Sequence, residues 1–310
     1  MADLRLILDT DIGTDVDDAL ALALALLSPE VRLEAVTVVY GDVDLRARMV
    51  LKLLRLAGRS DIPVARGIGQ PLLRNRPVYW AGHEGQGLLT GEDYDRPLPE
   101  GHAVDLIIER VMANPGEITL VPIGPLTNIA AAIIREPRIV SRLRRVVLMG
   151  GVLRTGPRFD LPLAEHNIRS DPEAASVVFS AGLPLTMVGL DVTTQVRITR
   201  SDCARINAVG TPFHQAIADQ VLRYLHLRRR DWTYLHDPLA LATAIDPTFV
   251  ATRALRIRVE TRGDLTTGMT LAELPTDEAP ATAEAAIAVD SDRFHRFFLE
   301  RLLRPLPPRD

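Results

Sequence analysis

Five aspartates fall within ten positions of the stretch "LILDTDIGTDVDDALALALALL", residues 6–27: Asp9, Asp11, Asp15, Asp17 and Asp18. An apolar run precedes them and an Ala/Leu run follows. Two carboxylates ~5 Å apart at an effective dielectric near 20 repel by roughly 3 kcal/mol. Several such pairs approach the whole stability of a domain. The stretch can fold only if the acids point apart into water, share protons or surround a cation. Between two elements that must be buried they cannot all reach water. Oxygen donors alone favour a hard ion, Ca²⁺ or Mg²⁺, over zinc.

The apolar runs set the fold class. "LRLIL" at 4–8, "LEAVTVV" at 33–39, "ITLVPI" at 118–123, "RVVLMG" at 145–150 and "LPLTMVGL" at 183–190 alternate with helix-like stretches. This pattern predicts an α/β fold with an open, mainly parallel sheet covered by helices on both faces. "ALALALALL" has the period of a strand. Ala and Leu are strong helix formers, acids precede the run and Ser28-Pro29 closes it, so a helix is expected at 19–27. The acids then lie on the loop from strand 1 into helix 1, at the strand ends where open α/β sheets bind ligands. Residues 67–102 read as a long loop, of a length that is usually functional or mobile. Helices are expected near 213–229, 237–245 and 291–303, strands at 254–260 and 284–289, and a frayed tail at 304–310. No composition shift marks a boundary, so residues 1–310 read as a single domain.

Composition narrows the partners. The net charge of −4 gives no basic footprint for nucleic acid, which leaves a small molecule. The single cysteine, Cys203, excludes an internal disulfide and a multi-cysteine metal site. The Ala/Leu run is too short to span a membrane and no basic leader is seen, so a cytoplasmic protein is expected.

Five segments in order then resemble the inosine-uridine-preferring nucleoside hydrolases, whose signature is close to "ILDTDxGxDDA". Beside the acid run these are "VPIGPLTNIAAAI" at 121–133, "VVLMGG" at 146–151, "AEHNIRSDPEAA" at 164–175 and "LHDPLALA" at 235–242. The resemblance implies a calcium-dependent N-ribohydrolase that releases free base and ribose by attack of water on an oxocarbenium-like sugar. One Ca²⁺ would be held by Asp11, Asp18, Asp237 and the Ile123 carbonyl, with Asp11 also the general base. Asp17, Glu165, Asn167 and Met149 would hold the ribose. His236 would protonate the leaving base. Asp9 would be a support for the loop. The resemblance also implies a homodimer or homotetramer.

Three departures bear on the substrate. The acid run is two residues longer than the signature, leaving Asp15 as an exposed acid, a helix cap or an extra ligand. Asp42 stands where an asparagine usually reaches the ribose. Phe159 and Asp160 replace an asparagine that serves the 5′-hydroxyl. His83 is the leading candidate for base contact, ahead of Trp80, Tyr224, Trp232 and Tyr234. Two rivals are weighed against this reading. A haloacid-dehalogenase-like, Mg²⁺-dependent phosphatase would also suit "LILDTDIGT", but needs a downstream lysine, and Lys52 is the only one in the chain. A ribose- or nucleoside-binding protein without turnover is the other.

Overall fold

The computed structural model describes residues 4–153 and 158–306. Its strands are β1 (Leu4–Thr10), β2 (Val31–Val38), β3 (Val64–Arg66), β4 (Ile118–Pro122), β5 (Arg145–Met149), β6 (Leu185–Val188), β7 (Arg197–Thr199), β8 (Trp232–Tyr234), β9 (Val250–Val259), β10 (Thr270–Glu273) and β11 (Ala283–Val289). The helices are α1 (Asp17–Leu27), α2 (Val43–Leu56), α3 (Gly91–Asp95), α4 (Ala103–Ala113), α5 (Thr127–Arg135), α6 (His166–Ser170), α7 (Pro172–Ser180), α8 (Leu190–Thr193), α9 (Arg200–Asn207), α10 (Pro212–Leu227), α11 (His236–Ile245) and α12 (Ser291–Leu302).

Nine strands form one sheet in the order β10-β9-β11-β6-β5-β4-β1-β2-β3, and β7-β8 is a separate antiparallel pair. Every pairing from β11 to β3 is parallel, and only β9 and β10 attach by antiparallel pairing. The two-residue period of a strand sends neighbours to opposite faces. Leu6, Leu8, Val121 and Val147 enter one core, whereas Ile7, Leu120, Val146 and Leu148 enter the other. That division is why these strands read as unbroken apolar runs.

The first helix explains its own pattern. All eleven residues of α1 are buried, because the helix lies against β2 and is enclosed by α10, α11 and α12. A helix buried all round needs no polar stripe, so the alternation carried no sign of a strand. The expected strand at 183–190 is shorter, since Gly189 caps α8. The expected loop at 67–102 contains α3, which opens with a capping box between Thr90 and Asp93.

The chain leaves β1 toward β2 and β3 on one side, and β4 continues toward β5 and β6 on the other. The crevice beyond the carboxyl ends of β1 and β4 is therefore the topological switch point, where such sheets bind ligands.

Candidate active site

At that switch point lies a cavity of about 310 Å³, within the size range of small-molecule sites. Asp11 reaches it from the end of β1, Asp17 and Asp18 from the first turn of α1, and Ile123 from the end of β4. Met149 ends β5, Glu165 and Asn167 open α6, and His236 and Asp237 open α11.

 

The expected set in full is eleven residues: these nine line the cavity, and Asp42 and His83 lie outside it.

The floor is acidic. Asp17, Asp18 and Asp237 are buried and each offers an oxygen within 4.8 Å of the others. Thr10 Oγ1 donates to Asp18 Oδ1 at 2.5 Å, and the Asp237 backbone N–H donates to Asp17 Oδ2 at 3.2 Å. Burial first, and then the charge of the neighbouring aspartates, pushes all three carboxyls well above the usual carboxylate range. Asp11 is raised by burial and eased by Arg46, whose guanidinium lies 4.0 Å from Asp11 Oδ2. Gly124 must lack a side chain, because a Cβ there would stand 2.8 Å from Asp11 Oδ1.

The sequence gives no hint of how Arg46 is used. It is fully buried and donates to the carbonyls of Tyr40 and Ile12 and to Thr14 Oγ1, at 2.6, 2.7 and 3.1 Å. A buried cation needs such partners, but they come from loops whose positions only the fold defines. Tyr79, His166 and Arg228 also line the cavity without having been singled out.

Asp9 does not line the cavity, because it is held by β2 and α5 instead. Its Oδ1 accepts from Thr37 Oγ1 and Asn128 Nδ2 at 2.5 and 2.8 Å, Oδ2 is buried without a partner, and burial raises the carboxyl to about 7. Asn128 in turn accepts from Ile68 N and donates to Val38 O, so Asp9 is tied to β2, α5 and the segment after β3. Glu165 and Asn167 reach the cavity from the start of α6. Glu165 caps α6, taking the N–H groups of Asn167, Ile168 and Gly151. Asn167 Nδ2 donates to the Ile123 carbonyl at 2.8 Å.

Several expectations need correcting. Asp42 is exposed and caps α2 by accepting from Leu45 N; a short acid before a helix satisfies a free N–H. His83 bonds the Thr14 carbonyl at 3.1 Å and does not line the cavity. Asp15 is neither exposed nor the cap of α1: it lines the cavity, and Tyr224 Oη donates to its Oδ2 at 3.0 Å. Trp80 lies against Arg46, Trp232 beneath Arg197, and Tyr234 against His236. Phe159 is exposed and Asp160 pairs with Arg158.

A profile described as "Inosine-uridine preferring nucleoside hydrolase" matches residues 6–296. The chain belongs to that family. An inosine-uridine preferring nucleoside hydrolase of Leishmania major is 39% identical over 97% of this chain and 98% of its own. A pyrimidine-specific ribonucleoside hydrolase, RihA, of Shewanella sp. (strain ANA-3) is 37% identical over 96% and 95%. Among solved structures, a purine-preferring ribonucleoside hydrolase from Gardnerella vaginalis matches with a TM-score of 0.85 at 33% identity, covering 96% of this chain and 98% of that one. A plant nucleoside hydrolase, PpNRh1, gives the same TM-score at 31% identity over 97% and 99%. Membership in the nucleoside hydrolase family makes the chain a hydrolase acting on N-glycosyl bonds, and no helix among the described residues is long and apolar enough to cross a membrane.

Proposed function

We propose that the cavity hydrolyses the N-glycosidic bond of ribonucleosides, giving free base and ribose, with calcium as its resident cation. The observation that carries this reading is the buried trio Asp17, Asp18 and Asp237. Like charges this close and this dry demand compensation, and an all-oxygen donor set suits Ca²⁺. Asp11, Asp18, Asp237 and the Ile123 carbonyl would hold the ion. Asp17 already spends one oxygen on the Asp237 N–H, leaving the other for a ribose hydroxyl. When bound, the ion supplies positive charge and Lewis acidity at the floor.

The protein's own groups divide the remaining work. Asp11 takes the proton of the attacking water. Asn167, Glu165 and Met149 hold the sugar. His236 serves the departing base: burial pushes its ring down to about 4, so it enters the reaction neutral. Thr193 Oγ1 lies 2.7 Å from Nδ1; with that hydroxyl donating, the neutral ring directs Nε2–H to the departing base and hydrogen-bonds the negative charge that develops there, and the released base takes its proton from water. Lys52, which a phosphatase of the rival type would need in the cavity, is bound to Asp93 at 2.9 Å instead. The same reading makes the protein a cytoplasmic homodimer or homotetramer, testable by cell fractionation and light scattering.

The test is ribose release over a panel of nucleosides with Ca²⁺ added or removed by EGTA. Turnover that EGTA abolishes and Ca²⁺ restores is expected. Tight nucleoside binding with no free base would favour the binding protein, and phosphate release from simple phosphomonoesters the phosphatase.

A further inference from the structure

Among the described residues, the only ion-pair contact made by the acids that line the cavity is that of Asp11 with Arg46, at 4.0 Å between Oδ2 and Nη2. That distance is beyond hydrogen-bond reach, so the carboxylate oxygen keeps its lone pairs for another partner. The guanidinium is held there by neutral oxygens. Its Nε donates to the Tyr40 carbonyl, Nη1 to the Ile12 carbonyl and Nη2 to Thr14 Oγ1. Neutral acceptors fix a guanidinium without cancelling its charge. Tyr40 has a φ of 64°, a left-handed conformation uncommon outside glycine, at the residue whose carbonyl meets Nε.

Arg46 differs in this from the cationic side chains on the cavity wall. Arg228 and His166 are exposed, where water and salt screen their charge. Arg46 is fully buried, so its charge acts on Asp11 almost unscreened. Resting on the calcium reading of the floor, we infer that Arg46 is a resident countercharge. It offsets Asp11 when no ion is bound, so the acid loop stays folded without calcium, and it lowers the affinity for calcium. The two effects are one by linkage: whatever stabilises the ion-free state over the ion-bound state weakens binding by the same factor.

Two variants separate charge from shape. Arg46→Gln removes the charge and keeps a donor amide, whereas Arg46→Lys keeps the charge and loses the fork. Calorimetry should find the calcium Kd lowered about tenfold in Arg46→Gln and within about twofold of wild type in Arg46→Lys. In thermal melts Arg46→Gln should lose several degrees more in EGTA than in saturating calcium, and Arg46→Lys should lose alike in both. A double-mutant cycle in EGTA isolates the pair: Arg46→Gln should cost less stability in an Asp11→Asn background than in wild type. An Arg46→Gln chain that folds only with calcium would be the expected effect at its limit. A Kd unchanged or raised in Arg46→Gln, equal losses with and without calcium, a chain that folds in neither, or additive losses in the cycle would overturn the inference. A wild-type protein that binds no calcium would sink the calcium reading alone, because the cycle in EGTA needs no ion and still decides the countercharge.

Discussion

Asp18 and Asp237 stand more than 200 positions apart in the chain and meet at the floor of one cavity. Removing either carboxylate leaves the remaining acids without the donor set that offsets them. Asp18→Ala and Asp237→Ala are expected to abolish calcium binding in calorimetry and to lower ribose release by more than about a hundredfold, since even outer groups around a metal cost 10- to 100-fold. Full activity in either would refute the assignment. His236→Ala should slow natural nucleosides by about 10²- to 10⁴-fold and p-nitrophenyl riboside far less, because that leaving group departs without a proton. An equal loss on both would remove His236 from that role. That the acids, the histidine and the Asn/Glu pair would meet in one place was legible from the family-like segments that carry them, and the cavity brings them together. The burial of Arg46 and the bond from Tyr224 to Asp15 were not, because an arginine or tyrosine on a helix gives no sign of which loop it will meet.

Among the elements, α3 shows how a long loop is pinned. Asp93 accepts from Lys52, Arg55 and the Thr90 hydroxyl and backbone, tying α3 to α2. These partners hold its carboxyl far below the usual range against the cost of burial. A depressed folded value contributes stability that is present above the unfolded pKa of about 3.9 and lost as pH falls below it. Asp93→Asn should therefore lower Tm by several degrees at pH 7, with a loss of about 3 kcal/mol, and the gap to wild type should narrow at pH 3. Thermal melts at the two pH values check this, and a constant gap would contradict it. The long central strands and α1 could be read from their apolar runs. The three-residue strands β3, β7 and β8 and the four-residue β10 are too short to show a period, and exist because neighbouring strands supply their partners. Asp42 shows the reverse case: a residue read for chemistry is used to start a helix.

At the scale of the whole molecule, the acid floor sits where the two halves of the sheet diverge, so its repulsion bears on the entire fold. Calcium at a hundred times its Kd should stabilise the protein by about 2.7 kcal/mol. Chelation with EGTA should lower Tm correspondingly; a Tm indifferent to calcium would place the ion elsewhere. Strand order was not legible, because nothing in a run of Val, Ile and Leu says which neighbour it will take. The class of sheet was, and with it the end of the strands where the site would lie.

The burial of α1 bears on how the protein is made. Its apolar surface is covered by α10, α11 and α12, all translated long after it. While the ribosome is still adding residues 30–230, this helix has no complete shelter, and long-range contacts of this kind form slowly. The nascent chain therefore carries an apolar helix that stays uncovered until the last helix emerges, the kind of exposed surface that makes a folding chain prone to aggregate.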